Sequence, residues 1–198
     1  MTQRSILAGA NPEVIIKAGA SVTVKGREGD RVAAETNGNW GLKLERKKGK
    51  VEVQIGGSGE VWVPMSSNVK VYAGKNIHVQ GLKGEASGFA GLDLVLKDVK
   101  RLGNASAGGA MEIDCQSMHG RGVTFSAGRD LRFHVKDLTS ARLRVKDIGG
   151  YWEARIGRGE VEVYLKSGGD VTVLTDQDVQ ALPPDYILGR IEKPDNGL

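Results

Sequence analysis

One cysteine, Cys115, is the whole thiol inventory of this 198-residue chain. It excludes an intrachain disulfide and gives no sign of an oxidising compartment. Prolines number five, and none lies between Met65 and Leu182. Proline cannot donate to a β-ladder, so that gap leaves room for continuous strand pairing. Aromatics are scarce at 5%. No apolar run approaches the ~18 residues of a membrane-spanning helix. No useful window repeats its apolar residues at i, i+3 and i+4, so amphipathic helices are not expected. The first eleven residues lack the apolar centre of a signal peptide. These absences predict a soluble chain without a membrane span, cytoplasmic as written. Removal of a leader would place it at the cell surface instead.

Glycine is what the chain has in quantity, 29 residues, and its spacing carries the organisation. A short strand, a glycine turn and a second alternating strand recur at 51–63, 69–79, 85–96, 104–115, 123–135 and 152–165. Turn glycines fall at Gly57, Gly74, Gly91 and Gly108, each 17 residues after the last. Gly128 follows 20 later and Gly157 another 29 later, leaving room for an inserted arm. Self-similarity at a fixed period marks a stacked-repeat architecture.

Within each copy the downstream arm carries the large apolar residues at alternate positions. They are Val61 and Val63; Ile77 and Val79; Leu92, Leu94 and Leu96; Met111 and Ile113; Leu131, Phe133 and Val135; Val161, Val163 and Leu165. The upstream arms offer Ala73, Ala86, Ala90, Ala105, Ala107, Ala127 and Ala154. Alternation points each set to one side of its strand, and large against small fills a thin layer without voids. The expected fold is all-β: stacked β-hairpin repeats in a solenoid-like slab of two sheets, one per arm. Residues 1–50 read as lead-in strands of the same domain outside the repeat's register, 51–176 as the repeats, and 177–198 as a C-terminal extension. The run 142–150 is a near copy of 131–140, which reads as a duplicated strand paired with its parent. A Lys-Asp step recurs after three strands, at Asp98, Asp137 and Asp147, and reads as a solvated turn.

Val61-Trp62-Val63-Pro64, then Val69 to Ile77 with its glycine and asparagine, resemble the "putative adhesin" family with the toast-rack fold. Gly57-Ser58-Gly59-Glu60, Gly128-Arg129-Asp130 and Gly168-Gly169-Asp170 come near that family's glycine turns. The resemblance covers roughly residues 21–176. It implies an elongated, regular β-domain, surface-associated or regulatory, with no catalytic residues to carry over. The chain departs from the family in showing no secretion signal or anchor.

Candidate chemistry is thin. Cys115 and His119 are four apart, but a zinc site wants three or four converging ligands. Cys115 continues the alternation of Met111 and Ile113 and should be a buried, inert hydrophobe. His78 and His134 should face solvent without partners. Carboxylates are plentiful, but no phosphate loop, nucleophile elbow or His-Glu-x-x-His is present. No enzyme activity, metal or cofactor is therefore expected. Basic residues exceed acidic ones by 28 to 24, and part of the excess lies in Arg46, Lys47 and Lys48. Elsewhere the signs alternate, which suits a solvated sheet face better than a nucleic-acid stripe.

Two functions remain. The first is a non-catalytic interaction module that self-associates or presents a surface to a protein or cell-surface partner. The second is a glycan- or polyanion-binding or processing domain that uses the basic loop. Trp62, flanked by two inward valines, should point outward as a contact residue. Trp40 and Trp152 lie at turn or strand positions. The extension is too apolar for a free tail. Tyr186, Ile187, Leu188 and Ile191 are expected to dock it on a neighbour, making the protein a homo-oligomer.

Overall fold

The computed structural model describes residues 2–36, 41–117, 122–138, 141–156, 161–176, 179–181 and 191–192. These residues form nineteen strands and no helix. In chain order they open with β1 (Thr2–Leu7), β2 (Glu13–Ala18), β3 (Val22–Arg27), β4 (Arg31–Thr36) and β5 (Leu42–Lys47). There follow β6 (Lys50–Ile55), β7 (Gly59–Pro64), β8 (Asn68–Ala73), β9 (Ile77–Ala90) and β10 (Leu94–Ala107). Next come β11 (Met111–Ser117), β12 (Val123–Ala127), β13 (Leu131–Asp137), β14 (Ala141–Asp147) and β15 (Gly150–Ile156). The last four are β16 (Val161–Ser167), β17 (Val171–Leu174), β18 (Val179–Ala181) and β19 (Ile191–Glu192).

Two ladders stack these strands. The first runs β5, β6, β2, β8, second half of β9, second half of β10, β12, β16, β14, β15 and β18. The second runs β1, β4, β7, β3, first half of β9, first half of β10, β11, β13, β17 and β19. Pairing is parallel in the middle of both ladders; it is antiparallel toward both ends of the first and at the β1–β4–β7 end of the second, whose β17–β19 end stays parallel. β9 and β10 each cross from the second ladder to the first, so the hydrogen bonding is continuous through one sheet. The crossing bends at Gly81 (φ 72°) and, seventeen residues on, at Asp98 (φ 52°). The expected arms separate into two ladders of this one sheet in every copy but the last, where β15 and β16 both lie in the first ladder.

Between the ladders lies one apolar layer. Val61, Val63, Val79, Leu94, Leu96, Ile113, Phe133 and Val135 are fully buried within it. The two ladders touch through it: the Phe125 and Phe133 ring centroids are 5.5 Å apart. Each alanine expected opposite them is also buried. Leu92 departs from the expectation and is 47% exposed. It occupies the middle of a turn, where strand alternation does not reach.

The turn between ladders is Gly-x-Ser, Gly-x-Asn or Gly-x-Asp in six copies and Gly108-Gly109-Ala110 in the seventh, and its glycines form a column. In spatial order they are Gly56, Gly19, Gly74, Gly91, Gly108, Gly128 and Gly168. Each glycine N–H after the first donates to the carbonyl before the preceding glycine at 2.9–3.1 Å. A Cβ on any of these six would overlap the carbonyl oxygen of the glycine beneath. Close approach of backbones, rather than a positive φ, is what demands glycine here. Beside them, Asn76 Oδ1 accepts Asp93 N–H at 3.2 Å and Asp93 Oδ1 accepts Ala110 N–H at 2.8 Å. Asp130 Oδ1 accepts Asp170 N–H at 3.1 Å.

Several expectations are corrected by this column and its neighbours. Gly56, not Gly57, belongs to it; Gly168 completes it, and Gly157 lies outside the described residues. Residues 13–27 are not a lead-in. Their coil inserts between β6–β7 and β8–β9, with Gly19 stacked in register. The duplicated strand does not pair with its parent: β14 pairs with β15 and β16 in the first ladder, whereas β13 lies in the second. The extension's described strands cover their own slab: β18 pairs with β15 and β19 with β17, with Ile191 opposite Val173. Tyr186, Ile187 and Leu188 lie outside the described residues.

Candidate functional site

Since the inner faces are filled, chemistry has only the outer faces and the edges to work from. The two outer faces differ. On the second ladder, neighbouring coils compensate each other's charge. Lys25 meets Glu60 at 3.0 Å, Lys97 meets Glu112 at 3.2 Å, and His134 Nδ1 lies 3.3 Å from Asp114. Such exposed pairs contribute little individually, but they leave a mosaic of balanced sign. His134 thus has a partner that the linear sequence could not supply, because Asp114 belongs to the adjacent coil. His78 Nε2 lies 3.0 Å from Oε1 of Gln80, two residues on in the same strand.

The first ladder presents a different row. Register carries Lys43 to Gln54, to Lys17, to Tyr72 and on to Phe89. From Phe89 it continues through Ser106, Ser126, Lys166 and Lys146 to Tyr151. No carboxylate falls in this row across ten strands. Tyr72 and Phe89 stack with centroids 5.1 Å apart, and the Lys70 ammonium stands 5.6 Å and 5.4 Å from the two centroids. A shallow groove of about 960 Å³ lies beside them, bordered by Lys17, Lys43, Gln54, Tyr72 and Phe89. A second, of about 610 Å³, lies farther along the same side, bordered by Thr124, Lys146, Tyr151, Tyr164 and Lys166. Tyr151 is 56% exposed, with the Lys146 ammonium 5.0 Å from its ring centroid.

One charged knot fixes the second groove. Glu153 receives Arg142 at 3.0 Å and Arg144 at 3.1 Å. Arg144 also donates to the Tyr164 hydroxyl at 3.2 Å, which donates to Glu162 at 2.8 Å. That bond to Glu162 raises the Tyr164 phenol above its ordinary range. These carboxylates are tied to guanidinium groups and positioned as struts. The β14–β15 hairpin, which supplies Arg142, Arg144 and Glu153, is the inserted arm, and Glu162 comes from β16.

The expected site residues are not brought together. Trp62 is half-buried on the second ladder's outer side, between Lys25 and Ala33. Arg46, Lys47 and Lys48 sit at the β5–β6 hairpin at the rim of the first ladder. Lys48 (φ 50°) and Gly49 (φ 81°) make that turn, and Arg46 reaches Ala8 O at 3.5 Å. Trp40 and His119 lie outside the described residues. Cys115 is buried, and desolvation pushes its thiol up to about 12. Among the described residues no group of three or more His, Cys, Asp or Glu is placed to hold a metal. None of their helices is long and apolar enough to cross a membrane, there being no helix. The row through Tyr72 and Phe89 escaped sequence reasoning. Its only linear signal is an aromatic two residues before the turn glycine in two successive copies, Tyr72 before Gly74 and Phe89 before Gly91.

The chain is similar in structure to a "putative cell adhesion protein" from Clostridium sporogenes, with 10% identity and a TM-score of 0.43. That likeness covers 88% of this chain and 99% of the other. It is also similar to a "putative adhesin" from Parabacteroides merdae, at 12% identity and a TM-score of 0.40, covering 88% and 80%. The likeness is one of β architecture, and no function passes from these proteins to this chain. No protein-family model matches the chain, and no curated protein matches it significantly.

Proposed function

We propose that this protein is a non-catalytic, adhesin-like interaction module whose working surface is the outer side of the first ladder. The observation that carries the reading is the contrast between the two outer faces. One pairs Lys25, Lys97 and His134 with carboxylates of the neighbouring coil, while the other keeps lysines and aromatics in a row without a carboxylate. Lone exposed apolar residues are ordinary. A register-aligned row of aromatics and lysines, of which, among the described residues, Lys43 alone is tied to a carboxylate, Glu45 at 3.0 Å, is a surface built for contact. Homo-oligomers would form through the ends of the stack, where strand edges lie, and so leave this side open.

The test compares two sets of serine replacements at Lys17, Tyr72, Phe89 and Lys166, or at Lys25, Trp62 and Lys97. Capture is measured on immobilised cell-wall polysaccharide, collagen and fibronectin coats. The first set should abolish capture and the second leave it within about twofold. Capture that ignores the first set, or release of reducing ends from the polysaccharide, would overturn the reading.

A further inference from the structure

We propose that this same side binds a linear acidic polysaccharide, laid along the stack and across the strands. The inference rests on the reading of that side as the working surface, and names its ligand class. Strands succeed one another at about 4.8 Å, close to the advance of one ring in a β-linked sugar chain. A polysaccharide lying on the row therefore meets one coil per sugar.

The order of residues along the row suits such a chain. Lys17 stands at one end of a neutral stretch and Lys166 at the other, five strand steps or about 24 Å apart. No acidic group among the described residues pairs with either lysine. The facing carboxylate nearest in register to Lys17 is Glu52, in the adjoining row opposite Ile15. In the neutral stretch, the stacked Tyr72 and Phe89 offer apolar area to the C–H faces of sugar rings. Ser106 and Ser126 then offer hydroxyls to sugar hydroxyls.

Charge density separates this ligand from nucleic acid. A nucleic acid carries a phosphate at every nucleotide and wants a cation track to match. Between β8 and β16, the strands β9, β10 and β12 bring no cation to either central row: their outward residues are Ser87, Phe89, Asn104, Ser106, Thr124 and Ser126. Cations grouped at intervals over a hydroxyl-rich floor fit carboxylates at intervals on a hydroxyl-rich polymer. The cations are lysines, point charges suited to single carboxylates, rather than the forked arginines that favour phosphate.

Biolayer interferometry with end-immobilised hyaluronan and polygalacturonate tests this, with a neutral cello-oligosaccharide and oligo(dT) alongside. At least one acidic polymer should bind, about tenfold tighter than the neutral one. K17S/K166S and F89S should each weaken that binding about tenfold, with unchanged melting, while K25S/K97S stays within about twofold. Absence of binding to both acidic polymers, or binding indifferent to Lys17 and Lys166, overturns the inference. Oligo(dT) binding tighter than either polymer, and lost with the same lysines, overturns it too. In any of these cases, protein coats still captured through the same side would leave the broader reading standing. If no coat is captured through that side, both fall.

Discussion

Replacing Gly91 with alanine adds one methyl group, in a place where the structure has no room for it. The new carbon would overlap the carbonyl oxygen and carbon of Gly74, one coil away. The obstacle is backbone, so no side chain can swing aside. The two coils must part, and the bond from Gly91 N–H to Ala73 O, 3.0 Å in the native protein, is stretched with them. Overpacking of this kind costs about 1–3 kcal/mol, and a weakened backbone hydrogen bond adds about 1 kcal/mol. A loss of about 3 kcal/mol follows, equivalent at this chain length to a Tm lowered by roughly 6–12 °C. Gly41→Ala is the matched control. A Cβ there meets nothing within 4 Å, so it should be neutral or stabilise by up to about 1 kcal/mol. Urea melts followed by circular dichroism and by tryptophan fluorescence measure both. If Gly91→Ala melts like the wild type, or Gly41→Ala is equally damaging, the glycine column is not what holds the turns together.

Other outcomes follow from the same geometry. Leu94→Asp and Phe133→Asp, at fully buried positions, should each cost several kcal/mol in urea melts, whereas His134→Ser should cost under about 1 kcal/mol. Burial holds the Cys115 thiol at about 12 against an ordinary 9.0. Both states keep the proton below pH 9, and only the unfolded state loses it above. Stability should therefore fall as pH rises from about 9 to about 12, and Cys115→Ala should remove that part of the decline. The Ala110 N–H and Arg129 guanidinium hold the Asp93 carboxyl below its ordinary value. Its contribution is present above pH 3.8 and lost as pH falls through the lowered value, so Asp93→Ala should flatten acid unfolding there. Truncation after Asp176 uncovers the β15 and β17 edges, and light scattering should show more association, not less.

The two-ladder slab was legible because strand alternation and the 17-residue glycine period are both local signals. Val79, Leu94 and Phe133 could be placed inward from their immediate neighbours alone. The position of Gly19 was hidden because spatial order and chain order disagree: its coil slips between two that follow it in sequence. Leu92 misled because alternation was carried one turn too far. The fate of β14 was hidden for a related reason, since likeness to β13 says nothing of which ladder a strand enters. The candidate surface was least visible. Tyr72 and Phe89 are 17 residues apart, and only register sets them side by side; Trp62, the more conspicuous aromatic, faces the other way. The His134–Asp114 contact was invisible for the same reason, each residue belonging to a different coil.

Lysine footprinting tests the assignment of the working surface most directly. The native protein is acylated under limiting reagent, with and without saturating hyaluronan or polygalacturonate, and modification at each lysine is read by mass spectrometry. Protection should concentrate at Lys17, Lys70, Lys146 and Lys166, while Lys25, Lys97 and the hairpin lysines Lys47 and Lys48 react as before. Protection centred on Lys25 and Lys97, or confined to the hairpin, would contradict it.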